Sequence, residues 1–209
     1  GKLERKADMF TKRTIKPHKA VDTVDTASEA LAVSISEKAF VDMAYMAELT
    51  GKNGKRYLPI KDFYIKAGTV DINVADGEIQ TAIIIPKEAY EGYHGHYIKY
   101  AMRNAMDIAT TGCSVNVKLS EDKKTIEDVR IAYGVAGPVP MRAPSAEAKA
   151  KGKPLTKAVV HEFGQAVLED INPRDSWRAS KAFRQHIATV LAERALAESI
   201  RLAGGVIDE

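Results

Sequence analysis

The sequence has one cysteine, no long apolar run and almost no net charge. The lone Cys113 excludes an internal disulfide and a four-thiolate metal site, and it favours a reducing, intracellular setting. No apolar run approaches the roughly 20 residues of a membrane helix, and the charged start, 1–10, lacks the apolar stretch of a signal peptide. We therefore expect a cytoplasmic protein with no membrane partner.

The charges of the two signs nearly cancel, since 31 Lys and Arg face 28 Asp and Glu and leave a net charge of +3. A nucleic-acid binder clusters its basic residues, so this small and scattered excess argues against a nucleic-acid partner. Of the 209 residues, 45% are hydrophobic. That is enough for one or two domains that each bury a core.

The first 40 residues are charged, and the sequence has no glycine between Gly1 and Gly51. Thr26 and Glu29 have the spacing of a capping box, in which each side chain accepts a backbone N–H at the start of a helix. We therefore predict a short helix over about 27–39.

The middle of the chain is predicted to form mostly strands. Segments 42–50 and 56–60 flank Gly51-Lys52-Asn53-Gly54, which is typical of a tight turn, and together they predict a hairpin. Further apolar or alternating segments predict strands over 79–85, 96–102, 113–119 and 125–133. The last two are expected to be antiparallel neighbours, because only a short polar connection joins them.

The last third of the chain has helical periodicity. Ser145 is expected to cap a short helix, 155–170 to form a second helix, and a third to begin near Trp177. Asp175 or Ser176 is expected to cap this third helix, and Trp177 to pack it against the sheet. Strands followed by helices predict an α+β fold, a small antiparallel sheet packed with helices.

Few residues are candidates for chemistry. His94 and His96 have no nearby third ligand, so an exposed loop is favoured over a metal site and no metal ligand is expected. Cys113 has no local base and is interpreted as a buried core residue. Arg103 and Asp107, four apart at the end of a strand, have two interpretations, a surface ion pair or part of a site.

Several segments, taken in order, resemble one family. They are Gly51–Tyr64, Gly77–Ile79, Lys99–Arg103 with Asp107–Ala109, Arg130–Ala136 and Trp177–Arg184. Over about residues 45–205 they resemble the C-terminal half of the FAD-binding (medium) subunit of xanthine dehydrogenase-type molybdenum hydroxylases.

This resemblance implies three parts of the chain. Residues 1–40 are an atypical charged segment, and 41–90 are the end or a remnant of an FAD-binding domain. Residues 91–209 are an α+β domain like the C-terminal domain of CO dehydrogenase flavoprotein.

The resemblance also implies a function. In this family, electrons pass from a molybdopterin centre through iron–sulfur clusters to FAD and usually on to NAD. The implied partners are a molybdopterin-binding subunit, an iron–sulfur subunit and NAD. The implied holoenzyme is an oxidoreductase that hydroxylates a purine or related N-heterocycle, and this chain carries cofactor contacts but no catalytic residue.

The candidate cofactor-binding residues follow from the same resemblance. Ile79 and Gln80 match positions that pack near the flavin. Lys99 matches a lysine that approaches the flavin ring, where a cation stabilises the negative charge of the reduced ring and raises its potential. Arg103 and Asp107 match a loop beside the flavin that influences access of NAD.

The sequence departs from the family in one respect. The family cradles the FAD pyrophosphate in two glycine-rich segments, and the glycine-free stretch before Gly51 offers no such cradle, so we expect an incomplete FAD site. A natural remnant, a shortened chain and a concatenation of ordered segments all fit, as does a docking scaffold without flavin. An unrelated α+β module for RNA would use the basic residues near the last helix, Arg178, Lys181, Arg184, Arg194 and Arg201.

Overall fold

The chain divides into two compact units. The computed structural model describes residues 20–51, 56–72, 78–104 and 106–209. The first unit is drawn from residues 1–58 and 72–81, and the second from 59–71 and 82–209. Each unit is held together by its own contacts, and the second contains the sheet and the longest helix.

The first helix of the first unit, α1, spans Ala27–Lys38, and the prediction from the capping box is confirmed. The Thr26 hydroxyl accepts the Glu29 N–H at 3.2 Å, and the Glu29 carboxylate accepts the Thr26 N–H at 3.1 Å. These two bonds satisfy backbone donors that have no partner within the helix. A residue pair three apart therefore sets where the helix begins.

The second helix, α2, spans Met43–Thr50, so the strand predicted over 42–50 is wrong. The Asp42 carboxylate accepts two N–H groups of the first turn, both at 3.1 Å, and Gly51 ends the helix with a φ of 66°. Met, Ala and Leu in this segment favour a helix once a cap is available. Helices α1 and α2 enclose a small core of Ala30, Met46 and Leu49.

The hairpin predicted around Gly51 is also wrong in its second half. Residues 52–55 lie outside the described ranges, and 56–60 do not form a strand. A one-turn helix α3, Ile60–Phe63, instead leads into a later hairpin of β1, Tyr64–Lys66, and β2, Thr69–Val70.

The apolar segment 79–85 forms no strand, contrary to the prediction. Its three consecutive isoleucines are 74%, 67% and 65% exposed, at Ile83, Ile84 and Ile85. A β-branched run favours extended backbone, but a strand also needs a partner and a covered face. The described structure gives this run neither.

A four-stranded antiparallel sheet forms the middle of the second unit. Its strands, in spatial order, are β3 (His94–Tyr100), β4 (Thr111–Leu119), β5 (Ile126–Gly134) and β6 (Met141–Arg142). The three strands predicted for this part of the chain are confirmed, and β4 and β5 are antiparallel neighbours as expected. Val115 and Val117 are buried and Asn116 is exposed, which explains the alternating pattern.

Three helices pack with this sheet, α4 (Pro144–Ala150), α5 (Lys157–Ala166) and α6 (Lys181–Leu202). Helix α6 contacts β3 and β4, α4 contacts β5, and α5 packs against α4 and α6. The core includes Phe163, Ile131 and Leu196, which are fully buried. The predicted α+β fold, a small antiparallel sheet packed with helices, is confirmed. Within the described ranges, none of the helices is long and apolar enough to cross a membrane.

The predicted caps are only partly right. Ser145 does not cap α4; its N–H and hydroxyl bond to the Asp170 carboxylate at 2.9 and 3.1 Å. Helix α6 begins after Ser180, whose hydroxyl accepts an N–H of the first turn, while Asp175 accepts the Lys181 N–H at 2.7 Å. The Ser180 hydroxyl and the Asp175 carboxylate thus accept backbone N–H groups that have no partner within the helix.

Trp177 does not pack helix α6 against the sheet, so that prediction is wrong. Its side chain is 80% exposed and lies under the Arg178 guanidinium, 4.2 Å from the ring centroid. A guanidinium is attracted to the face of an indole, so this contact stabilises the ring in its exposed position without burial in a core.

Candidate functional site

Lys99 lies near the end of β3, an edge strand of the sheet, where the chain leaves toward β4. Lys99 pairs in register with Gly112, and the Thr110 N–H donates to the Tyr100 carbonyl at 2.8 Å. That bond closes the stems of a turn, described for residues 101–104 and 106–109, which we call the connecting turn. The Lys99 side chain is exposed, and its Nζ donates to the Asp107 carbonyl at 2.6 Å.

The Asp107 carboxylate organises the connecting turn from inside. Its Oδ2 accepts the N–H groups of Met102 and Arg103 at 2.9 and 3.2 Å. Desolvation alone would raise the pKa of Asp107, but the backbone donors of Met102, Ile108 and Arg103 outweigh it and hold that pKa below its usual value. The backbone N–H groups of the turn therefore stabilise the negative charge of Asp107.

The Arg103 guanidinium donates to the Met106 carbonyl at 2.7 Å, and the Asp107 carboxylate is occupied by backbone amides. The simple surface ion pair between these two side chains therefore does not describe the turn. Met106 has a φ of 48°, a conformation that non-glycine residues rarely adopt. The turn keeps its apolar side chains in solvent, with exposures of 68%, 94% and 63% at Met102, Met106 and Ile108.

Helix α6 contacts both stems of the connecting turn. The Phe183 ring lies 5.9 Å from the Tyr100 ring, and an Nη1 bond joins Arg184 to the Thr110 carbonyl. The second guanidinium nitrogen of Arg184, Nη2, donates to the Ser176 hydroxyl at 2.8 Å. Arg184 is only 3% exposed, so it is not part of a solvent-facing basic surface as the RNA hypothesis requires.

The role of Arg184 was missed because nothing local marks it as buried. Burial, with Arg174 and Arg178 nearby, lowers the pKa of its guanidinium. Arg201, another residue of that hypothetical surface, is paired with Glu198 at 2.6 Å. The only sequence signal was the segment Trp177–Arg184 in the family resemblance, which did not specify which side chains touch the turn.

The five residues expected to bind the cofactor fall into two groups. Lys99, Arg103 and Asp107 lie together on or beside the connecting turn of the second unit. Ile79 and Gln80 belong to the first unit, and both are exposed. Gly77, which precedes them in the family motif, lies outside the described residues.

The described residues contain no cluster of three or more His, Cys, Asp or Glu side chains that is able to hold a metal ion. His94 and His96 lie on β3 and not in a loop, which corrects that interpretation. Cys113 is fully buried as expected, and burial raises the pKa of its thiol to about 12.

Chemically, Lys99 of β3 and the connecting turn together present two cations and three apolar side chains to solvent, while the one carboxylate of the turn is hydrogen-bonded to its own backbone. A charge-stabilising contact needs an accessible donor, and the Lys99 ammonium has three N–H donors, of which the turn uses one. Such a surface suits a ligand that combines a flat apolar face with a negatively charged edge.

Comparisons with known families point in one main direction. Residues 96–199 match the CO dehydrogenase flavoprotein C-terminal domain. That range includes Lys99, the connecting turn and Arg184. Residues 23–57 match the winged helix domain of a probable helicase.

Individual proteins give the same picture. The chain is 37% identical over 158 residues to the xanthine dehydrogenase FAD-binding subunit of Escherichia coli O157:H7, covering 76% of this chain and 53% of that protein. It is 30% identical over 179 residues to the glyceraldehyde dehydrogenase medium chain of Sulfolobus acidocaldarius, covering 86% and 59%. The chain thus spans little more than half the length of these curated relatives.

A solved structure has the same fold. CO dehydrogenase from Hydrogenophaga pseudoflava, in a form without the Mo-pyranopterin moiety of its cofactor, aligns with a TM-score of 0.58 at 24% identity. The alignment covers 72% of this chain and 50% of that one.

Proposed function

Since the chain belongs, through residues 96–199, to the CO dehydrogenase flavoprotein C-terminal domain family, we propose that it acts in the FAD-binding subunit of a xanthine dehydrogenase-type molybdenum enzyme. The observation that carries the proposal is the Lys99 ammonium, exposed beside a turn whose carboxylate is hydrogen-bonded to the backbone of the turn itself. The relatives named as FAD-binding and medium chains support the same role.

The residues of the connecting turn fit the ring end of FAD. Bound FAD supplies two-electron carrier chemistry that no amino-acid side chain provides. Lys99 offers two unused N–H donors to the negatively charged edge of the ring, and Met102 and Met106 offer apolar contact. The inward orientation of Asp107 matters here, because an outward carboxylate would repel that negative edge.

Arg103 is proposed to control which groups reach the turn from solvent. Its guanidinium is fixed by the Met106 carbonyl at 2.7 Å and retains further donors for an anionic ligand. Ile79 and Gln80, exposed in the first unit, are proposed to contact the flavin from their own segment. Because the stretch before Gly51 has no glycine-rich cradle for the pyrophosphate, this chain is proposed to supply only part of the FAD site.

We propose the remaining parts of the assembly from the relatives. Electrons would reach this subunit from an iron–sulfur subunit and a molybdopterin-binding subunit, and would leave to NAD. A purine or related N-heterocycle is the proposed substrate of the holoenzyme, because two relatives at 37% identity are named as xanthine dehydrogenase FAD-binding subunits. The single cysteine and a soluble electron acceptor fit the cytoplasm.

The three-part division is kept as a proposal. Residues 91–209 form the flavoprotein C-terminal domain, 41–90 the end of an FAD-binding domain, and 1–40 a separate charged segment. The start of the family match at residue 96 supports the second boundary.

The winged-helix match does not lead us to a nucleic-acid function. The matched residues 23–57 contain five carboxylates and four Lys or Arg side chains, so the segment has no excess of positive charge. Binding to phosphates depends on an excess of clustered cations, which this balance does not provide.

The decisive experiment replaces Lys99 by Met in the assembled complex. The FAD midpoint potential is expected to fall, on the order of tens of millivolts, because a cation no longer offsets the charge of the reduced ring. NAD reduction should slow in parallel. Lys118→Met on the neighbouring strand removes a lysine paired with Glu127 and is the matched control, with no expected change.

Two results would contradict the proposal. A complex that contains no FAD would show that the chain serves as a flavin-free docking scaffold. A Lys99→Met complex with unchanged potential and unchanged NAD reduction would show that the lysine does not contact the ring. Titration of FAD into the 209-residue chain alone is expected to show weak or no binding, because the pyrophosphate contacts are missing.

A further inference from the structure

Arg184 occupies an energetically expensive position. Its side chain is 3% exposed, and its Nε has no hydrogen-bond partner among the described residues. Its two contacts are neutral oxygens, the Thr110 carbonyl and the Ser176 hydroxyl. Asp175 is the one nearby carboxylate that favours the charged form of Arg184, and it acts against burial and against the charges of Arg174 and Arg178. Burying a guanidinium that has no direct bond to a carboxylate costs free energy that an apolar residue of similar volume would not. Stability alone therefore does not explain an arginine at this position.

The geometry of Thr110 shows what the arginine does. Both backbone groups of Thr110 are fixed: its N–H donates to the Tyr100 carbonyl at 2.8 Å, and its carbonyl accepts from Arg184. These bonds lie at the base of the connecting turn, where the two stems meet. Phe183, one residue before Arg184, packs on Tyr100, so the first turn of α6 contacts each stem once.

We propose that Arg184 is a positioning residue that acts through Thr110 to hold the connecting turn in the shape that presents Lys99 and Arg103. Lys99 reaches the turn at the Asp107 carbonyl, three residues before Thr110. A shift of Thr110 therefore moves the acceptor that orients the lysine. The effect of Arg184 on a cofactor rests on the proposed function, whereas its effect on the turn does not.

The first test measures the turn in the purified 209-residue chain without any cofactor. Arg184→Met is expected to move the Asp107 carboxyl pKa up toward its ordinary value in an NMR titration, because the Met102 and Arg103 amides no longer converge on it. Exchange of those two amides should be roughly tenfold or more faster, as for loss of a charge-assisted hydrogen bond. Arg184→Lys keeps the positive charge and an N–H donor group, and it should restore most of both values.

The matched control is Ser199→Ala in the same helix. The Ser199 hydroxyl is fully buried and lies 2.9 Å from the Val115 carbonyl of β4. The variant removes a contact between α6 and the sheet away from the connecting turn. It should therefore lower overall stability and leave the pKa of the Asp107 carboxyl unchanged. If Arg184→Met does not fold, Ser176→Ala releases the other end of the guanidinium and should shift Asp107 in the same direction by a smaller amount.

The outcomes separate the inference from the proposed function. The positioning role is overturned if folded Arg184→Met shows the wild-type Asp107 titration and the wild-type exchange of the two amides. If Arg184→Met does not fold, the same result in Ser176→Ala overturns it. In the assembled complex, Arg184→Met should lower the FAD potential toward the Lys99→Met value, and Arg184→Lys should recover it. An FAD potential that stays unchanged while the turn opens overturns the functional part. A complex without FAD refutes the proposed function, while the NMR result still decides the role of Arg184.

Discussion

A buried hydroxyl bond joins the sheet to the long helix, and its removal has a calculable effect. Tyr133 on β5 is 1% exposed, and its hydroxyl donates to the Ala188 carbonyl of α6 at 2.7 Å. Tyr133→Phe keeps the ring and removes this bond together with the contact between its hydroxyl and the Cys113 thiol, which is a weak hydrogen-bonding group. The Ala188 carbonyl lies inside the helix and keeps its intrahelical partner. The loss should therefore be about 1 kcal/mol, the net value of one neutral hydrogen bond.

Cys113 provides the assay, because it is the only cysteine and lies opposite Tyr133 in the β4–β5 register. The buried thiol, with its pKa raised to about 12, reacts only when the sheet opens. A loss of about 1 kcal/mol raises the open fraction about fivefold. A thiol reagent should therefore label Tyr133→Phe about five times faster, and the urea midpoint should fall without a change in slope.

The control is Tyr90→Phe, which makes the same chemical change on a side chain that is 57% exposed. Its labelling rate and urea midpoint should stay at the wild-type values. Equal labelling rates for wild type and Tyr133→Phe would refute the reasoning. So would labelling accelerated far beyond fivefold at an unchanged urea midpoint, because the reagent would then reach Cys113 by a local path.

Two further variants test the surface of the second unit. Desolvation would raise the pKa of Asp128, but hydrogen bonds from Tyr93 and Lys151 lower this pKa overall. The contribution of Asp128 to the free energy of unfolding is therefore present above about pH 4 and is lost as pH falls through the folded-state pKa. Asp128→Asn should lose about 1 to 2 kcal/mol at pH 7, and this difference should shrink at pH 3 in urea unfolding. Trp177→Ala should change the free energy of unfolding by less than about 0.5 kcal/mol, and a larger loss would mean that the indole is not solvent-exposed.

The parts of the fold that the sequence predicted are those with local signals. The two residues of the cap, Thr26 and Glu29, are only three positions apart, and the alternation along β4 reports directly which side chains face the core. The segment 42–50 failed because its apolar residues are compatible with both a strand and a helix, and the cap at Asp42 decided between them. Short apolar runs carry no periodicity strong enough to settle that choice.

The cofactor-binding role of the five candidate residues stays a prediction, and their bonding was not predicted. The family resemblance named Lys99, Arg103 and Asp107, which lie close together on or beside the connecting turn. Asp107 accepts backbone amides because of the geometry of the turn. The residue types of the turn do not by themselves predict this geometry. Arg184 lies 74 residues from Thr110 in sequence, so its burial depends on tertiary packing that no local pattern contains.

The long sequence separation between Arg184 and Thr110 has a consequence during synthesis. A ribosome adds roughly 5–20 residues per second, so Thr110 leaves the peptidyl-transferase centre about 4 to 15 s before Arg184 exists. During that interval the nascent strands β3 and β4 lack the helix that covers them. Chaperones can bind the uncovered strands during this interval. A prosthetic group that needs the finished turn can be inserted only after translation has passed α6.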